Sequence, residues 1–371
     1  MPTVLIKPVG DRCNLACRHC FYHPEIPRRA AVMEDDVLAA TIRGFLADGG
    51  PMIFAWQGGE PSLAGLDFYR RALDLQRRLA GPGQHVANTF QTNGVLIDDD
   101  WADFLAANQF LVGLSIDGPE ECHDALRTAA DGSGSHSRAV QAWRALQRHK
   151  CPTNILCVVH CANFDKGSEV YDYLTRGLGA DYLQFIPCVE WTASGEVADF
   201  SLRPGDYARF LMDAFDRWSG EKQRAISVKL FDDFVLFLAG KPMRDCMHRT
   251  ACDAHLVVEH DGSVYPCDFF VREELRLGNI VEETAPQLRR EPRAVAFQER
   301  KARELPAECR DCRHLDICQG GCCKFWRPAA EGGFMQYLCE DMKQFLDQCR
   351  PAMEGMAAAV RARWRHSAAD R

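Results

Sequence analysis

Three cysteines lie close together in the stretch Cys13-Asn14-Leu15-Ala16-Cys17-Arg18-His19-Cys20, a C-x3-C-x2-C spacing that follows an apolar run at residues 4–9. A loop closing on itself brings the three thiols to one metal centre and supplies no fourth local ligand. A structural zinc site takes four protein ligands, usually as two C-x2-C pairs. A cubane iron–sulfur cluster held by three thiolates instead keeps one iron open to a small molecule. The spacing favours the cluster, with a zinc or buried-thiol loop as the plainer reading.

A second set of thiols follows residue 240: Cys246-x5-Cys252, then Cys267, then Cys309-x2-Cys312-x5-Cys318-x3-Cys322, and finally Cys339. These eight are enough for two four-ligand sites, and paired zinc sites are their rival because C-x2-C also holds zinc. The remaining cysteines are Cys122, Cys151, Cys157, Cys161, Cys188, Cys323 and Cys349. Most fall in or beside expected strands and helices, where a cysteine behaves as a small buried hydrophobe. Asp268 directly follows Cys267. A positioned carboxylate there can take a proton from a hydroxyl or thiol, although a turn aspartate on a solvated loop is the ordinary alternative.

These groups need a scaffold, and the first part of the chain supplies a regular one. Strand-type runs at residues 4–9, 52–56, 86–91, 111–116, 154–160 and 182–186 alternate with helix-type segments at 34–48, 66–79, 99–108, 137–150, 166–176 and 204–218. The alternation predicts a parallel α/β fold. Six β/α units are too few for a closed eightfold barrel, so an open partial barrel is expected, its site at the C-terminal ends of the strands. Gln57-Gly58-Gly59-Glu60-Pro61, Gln91-Thr92-Asn93-Gly94 and Ser115-Ile116-Asp117-Gly118 all fall at such ends. Gly58 and Gly59 permit close backbone approach of a ligand, or mark a tight turn. The polar stretch 131–135 reads as a connection rather than a lid. The expected division is a barrel at 1–225, a cysteine-rich module at 226–350 and a helix or tail at 351–371.

Composition narrows the class. The 371 residues are 47% hydrophobic and 26% charged, enough to bury a substantial core. A net charge of −8 lacks the basic footprint of a nucleic-acid binder. No apolar run reaches membrane-spanning length, and the start does not read as a secretory signal because Lys7 and Pro8 interrupt its apolar run. A cytoplasmic protein is expected. In that reducing compartment eighteen cysteines are metal ligands and core residues rather than a disulfide framework.

The first cysteine loop resembles that of the radical S-adenosylmethionine (radical SAM) superfamily, CxxxCxΦC with Φ usually aromatic, here His19. Gly58-Gly59-Glu60-Pro61 resembles the GGEP motif of the same enzymes, whose backbone contacts the methionyl amino group. The resemblance implies cofactor contacts at His19, Tyr22, Gly58, Gly59, Glu60, Ser115 and Arg127, with Val189 against the adenine. Taken singly, Ser115 also reads as a turn residue and Arg127 as a solvated helix charge.

The later cysteines resemble the SPASM module, which carries two auxiliary [4Fe–4S] clusters. Its crossed connectivity implies Cys246, Cys252, Cys267 and Cys322 for one cluster and Cys309, Cys312, Cys318 and Cys339 for the other, beside Cys13, Cys17 and Cys20 for the first. From Lys7-Pro8 to Cys339, including Tyr265-Pro266-Cys267-Asp268, the chain resembles anaerobic sulfatase-maturating enzymes. That resemblance implies three [4Fe–4S] clusters, S-adenosylmethionine, an unfolded or nascent sulfatase as substrate, a low-potential donor such as flavodoxin or ferredoxin, and Asp268 as the base. The implied reaction oxidises a Cys or Ser to Cα-formylglycine (3-oxoalanine). A maturase that cross-links a ribosomal peptide and a non-catalytic iron–sulfur redox protein are the alternatives. Two departures stand out: Cys323 where the family commonly has proline after GGC, and the Phe325-Trp326-Arg327 continuation.

Overall fold

The computed structural model describes residues 1–22, 31–221, 224–253 and 255–369; the last two residues of the expected 351–371 tail lie outside the described residues. In chain order the strands are β1 (Thr3–Ile6), β2 (Met52–Trp56), β3 (Val86–Thr92), β4 (Leu111–Ser115), β5 (Thr153–Val159), β6 (Tyr182–Pro187), β7 (Ser227–Val228), β8 (Leu256–Val258), β9 (Ser263–Tyr265) and β10 (Gly278–Asn279). Helices Asp35–Leu46, Leu66–Leu79, Asp99–Ala107, His136–Arg148, Gly167–Asp172 and Asp206–Gly220 follow the first six strands. The expected alternation is therefore present. β1 ends earlier than its apolar run, because Gly10 N–H turns back to Lys7 O after Pro8. The fifth helix is also shorter than expected: Leu178 N–H bonds Tyr173 O, a wide turn that ends the regular coil.

The chain forms two compact units, both discontinuous in sequence. The first comprises residues 1–116, 123–154 and 253–298. Its strands run in the order β10-β9-β8-β1-β2-β3-β4. β1 is parallel to both neighbours, with Ile6 opposite Trp56 on one side and Val258 on the other. Residues 253–298, expected in the C-terminal module, thus add a hairpin to the edge of the first strand. Trp56, Phe68, Tyr69, Phe90 and Trp101 pack with ring centroids 5.2–5.9 Å apart, edge to face except for the tilted Phe90–Trp101 pair. Trp56 Nε1–H donates to buried Asn88 Oδ1 at 2.8 Å, satisfying the indole in this core. Stretch 131–135 is a tight connection, with Gly132 N–H on Ala129 O and Ala129 N–H on Ser133 O.

The second unit comprises residues 117–122, 155–252 and 299–371. Here β5, β6 and β7 pair in parallel. Helix Cys339–Ala369 packs on helices Asp206–Gly220 and Lys229–Leu238, where Phe345 meets Phe215, Phe231 and Phe234. Of the seven cysteines outside the expected ligand sets, six are buried and Cys161 is exposed. Among the described residues no helix is long and apolar enough to cross a membrane.

Candidate active site

The first cysteine loop is held by main-chain bonds. Ala16 N–H donates to Thr128 O at 2.7 Å, Arg18 N–H to Leu126 O at 2.9 Å, and Glu60 N–H to Arg12 O at 2.8 Å. Buried Arg127 lies between the two anchoring carbonyl residues. Cys13 Sγ accepts from Leu15 N–H at 3.4 Å and from Asn93 Nδ2 at 3.6 Å. Burial pushes this thiol up to about 11, while those two donors oppose the shift. Donors aimed at sulfur suit a thiolate whose proton a metal has displaced.

The glycine motif fits against the same loop. Gly58 and Gly59 have φ of +83° and +47°. A Cβ on Gly59 would lie 2.1 Å from Arg12 O, and one on Gly58 would lie 2.4 Å from Lys7 Cγ. These glycines make room for the chain itself, a reason for Gly-Gly that the sequence did not disclose. Glu60 is wholly buried; its carboxylate accepts from Ser62 N–H, Ser62 Oγ–H, Thr92 Oγ1–H and Asn93 N–H at 2.6–3.0 Å. Its side chain therefore ties the ends of β2 and β3 together. His19 and Ser115 are buried in the same unit. Val189 is buried in the second unit.

Asp268 stands at the centre of a polar cluster. Its Oδ1 lies 2.7 Å from Lys7 Nζ and accepts from Tyr22 OH at 3.1 Å, while Oδ2 accepts from Gln57 Nε2 at 2.9 Å. Lys7 is fully buried and also meets Glu259 Oε1 at 3.1 Å. Its Nζ lies 4.3 Å from the centroid of the Tyr22 ring. Burial lowers the Lys7 pKa and the two carboxylates raise it; the net shift is upward, so the ammonium stays charged. The Tyr22 phenol is thus engaged with the carboxylate. Lys7, Gln57 and Glu259 were missed as site residues in the sequence. A lone lysine closing an apolar strand was the available signal for Lys7, but partners some 250 positions away leave no local trace.

In the second unit, burial pushes the Cys309 thiol up to about 12, and the neighbouring charges of Cys339, Cys318 and Cys312 add to the shift. The four thiols share one neighbourhood. Cys318 is likewise pushed up to about 11 by burial, opposed by a backbone N–H from Gly320. Cys322 Sγ accepts from Lys324 N–H at 3.5 Å. The Cys323 thiol hydrogen-bonds Cys252 and feels Cys322, which together with burial raises its pKa. Lys301, buried with Nζ on Met247 O and Arg249 O, lowers both Cys318 and Cys322. Cys246 is exposed and Cys252 half-buried in this unit, whereas half-buried Cys267 belongs to the first. Sulfur-rich groups with N–H donors on the thiols are a donor set suited to iron–sulfur clusters.

Comparison with known proteins agrees with this donor set. Residues 8–174 match the radical SAM superfamily and residues 246–313 an iron–sulfur cluster-binding domain, SPASM. The chain is 36% identical to the cysteine-type anaerobic sulfatase-maturating enzyme of Clostridium perfringens strain 13, over 97% of this chain and 99% of that one. The chain belongs to the anaerobic sulfatase-maturating enzyme family. It is also 33% identical to the serine-type enzyme of Bacteroides thetaiotaomicron, over 95% of this chain and 90% of the relative. A solved structure described as native anSMEcpe with bound AdoMet and Cp18Cys peptide superposes with a TM-score of 0.89 at 34% identity, covering 96% of this chain and 99% of that one. The fold is accordingly the α/β radical SAM partial barrel with a C-terminal SPASM module.

Proposed function

We propose that the protein is a radical SAM oxidoreductase that converts a Cys or Ser of a sulfatase polypeptide to Cα-formylglycine. The observation that carries this reading is the Asp268 cluster, a carboxylate held by a buried ammonium, a phenol and an amide in a chain of this family. Cys13, Cys17 and Cys20 would hold the first [4Fe–4S] cluster. Cys309, Cys312, Cys318 and Cys339 would hold one auxiliary cluster, and Cys246, Cys252, Cys267 and Cys322 the other. His19, Tyr22, Gly58, Gly59, Glu60, Ser115, Arg127 and Val189 remain the proposed S-adenosylmethionine contacts, the Glu60 carboxylate itself being held by Ser62, Thr92 and Asn93.

When bound, the clusters and S-adenosylmethionine supply the radical hydrogen abstraction and the electron transfer that oxidation of a β-carbon requires. The chain's own part is proton removal. Asp268 accepts the thiol or hydroxyl proton of the substrate side chain, and positioned base catalysis of this kind contributes roughly 10²–10⁴-fold. The peptide is an unfolded or nascent sulfatase segment, the electron donor a flavodoxin or ferredoxin, and the compartment the cytoplasm.

Anaerobically reconstituted protein given S-adenosylmethionine, a low-potential reductant and Cys- or Ser-containing sulfatase-motif peptides tests the reading. Mass spectrometry should show a Ser product lacking two hydrogens, or a Cys product with an aldehyde in place of the thiol. Cofactor cleavage with both peptides returned unchanged would reject it.

A further inference from the structure

We infer that Lys7 is a positioning residue for this reaction: it fixes Oδ1 of Asp268 and so leaves Oδ2 as the oxygen that receives the substrate proton. The inference rests on the reading of Asp268 as the base. A carboxylate offers about four lone-pair sites. Oδ1 is ion-paired with the Lys7 ammonium at 2.7 Å and accepts from the Tyr22 hydroxyl at 3.1 Å. Oδ2 carries the weaker, neutral bond from Gln57 Nε2 at 2.9 Å. An oxygen holding an ammonium and a phenol is the poorer proton acceptor of the two. In the proposed transfer the substrate S–H or O–H bond breaks, its electron pair stays on the heteroatom, and an Oδ2–H bond forms.

Lys7 is itself built into place. It leaves β1 with no exposed surface and its N–H bonds Val258 O at 2.9 Å. Its ammonium also meets Glu259 Oε1 at 3.1 Å, a carboxylate contributed by the end of β8. Its stem passes over Gly58, where any Cβ would lie 2.4–2.9 Å from Lys7 Cβ, Cγ and Cδ. The same ammonium faces the Tyr22 ring, so one cation orders both groups on Oδ1. Glu259 alone would balance the charge of Lys7; the shorter contact goes instead to Asp268.

Lys7→Met and Lys7→Arg, reconstituted anaerobically, decide the matter. The readouts are iron content, 5′-deoxyadenosine formed without peptide, KM and kcat for formylglycine formation, and 5′-deoxyadenosine released per formylglycine. Lys7→Met should keep iron content and peptide KM within about 2-fold of wild type, while kcat falls on the order of 10²-fold and 5′-deoxyadenosine released per formylglycine rises with it. Lys7→Arg should recover part of that loss, because it keeps the charge but moves it. An unchanged kcat and ratio in Lys7→Met would overturn the inference, as would a raised KM at wild-type kcat. If Lys7→Met does not accumulate as folded protein, Lys7→Arg carries the test, and a wild-type ratio in it overturns the inference. Wild-type protein that cleaves the cofactor but oxidises neither peptide would instead overturn the reading of Asp268 as base, a separate result.

Discussion

Gly59 and Asp268 make opposite demands on substitution, one steric and one chemical. At Gly59 an added methyl would press on Arg12 O at 2.1 Å from a backbone at φ +47°. The left-handed conformation costs a non-glycine residue roughly 1–2 kcal/mol, and overpacking adds typically about 1–3 kcal/mol. Arg12 O is also the acceptor for Glu60 N–H, so relief of the clash displaces the first cysteine loop. Gly59→Ala should therefore lower both the melting temperature and the iron bound per chain, read by calorimetry and iron assay. Asp268→Asn keeps volume and removes the base. It should leave peptide-free 5′-deoxyadenosine formation near wild type and reduce formylglycine roughly 10²–10⁴-fold. Normal product yield from Asp268→Asn would remove Asp268 from the mechanism.

Helix Asp206–Gly220 begins without a cap of its own. Gly205 has φ +96° and no side chain to take the orphan N–H groups. Asp341, buried on the first turn of helix Cys339–Ala369, accepts from Gly205 N–H and Ala208 N–H at 3.0 Å each. One helix thus caps another through a residue two positions past Cys339. Losing such a cap costs about 0.5–2 kcal/mol, so Asp341→Ala should lower the melting temperature by a few degrees, with Asp341→Asn falling between the two. This contact also marks where the sequence stops being legible. Six strand–helix pairs could be read because each carries its own apolar pattern over a local window, and Leu66–Leu79 matches its expected bounds to the residue. β8 could not be read. Three residues, Leu256–Val258, carry too little pattern to reveal pairing with β1 across some 250 positions. The same distance hid Lys7 as the partner of Glu259 and Asp268, whereas the cysteine spacings and Gly-Gly-Glu-Pro were visible because they are local.

Across the whole molecule, cysteine chemistry and stability are one question. The eleven cysteines proposed as ligands include eight in the later part of the chain, and none of the eighteen cysteines is in a disulfide. With no disulfide to constrain the segment 309–339, the proposed cluster on Cys309, Cys312, Cys318 and Cys339 would be its cross-link. This segment holds only short elements: helices Ala307–Arg310 and Leu315–Cys318, and the paired strands Trp326–Pro328 and Phe334–Gln336. Two helices of four residues cannot stand alone. Closing a loop of this size by a covalent link is worth about 3 kcal/mol, which for a unit of this scale corresponds to roughly 6–12 °C in melting temperature. Iron removal by chelator under reducing, anaerobic conditions should therefore lower the melting temperature by about that amount. It should also open new protease sites within 309–339, while helix Asp206–Gly220, buried through Phe210 and Phe215, resists cleavage. Reconstitution with iron and sulfide should restore both signals together. If melting and cleavage stay unchanged after iron loss, the segment is held by its packing alone and the clusters contribute nothing to the fold.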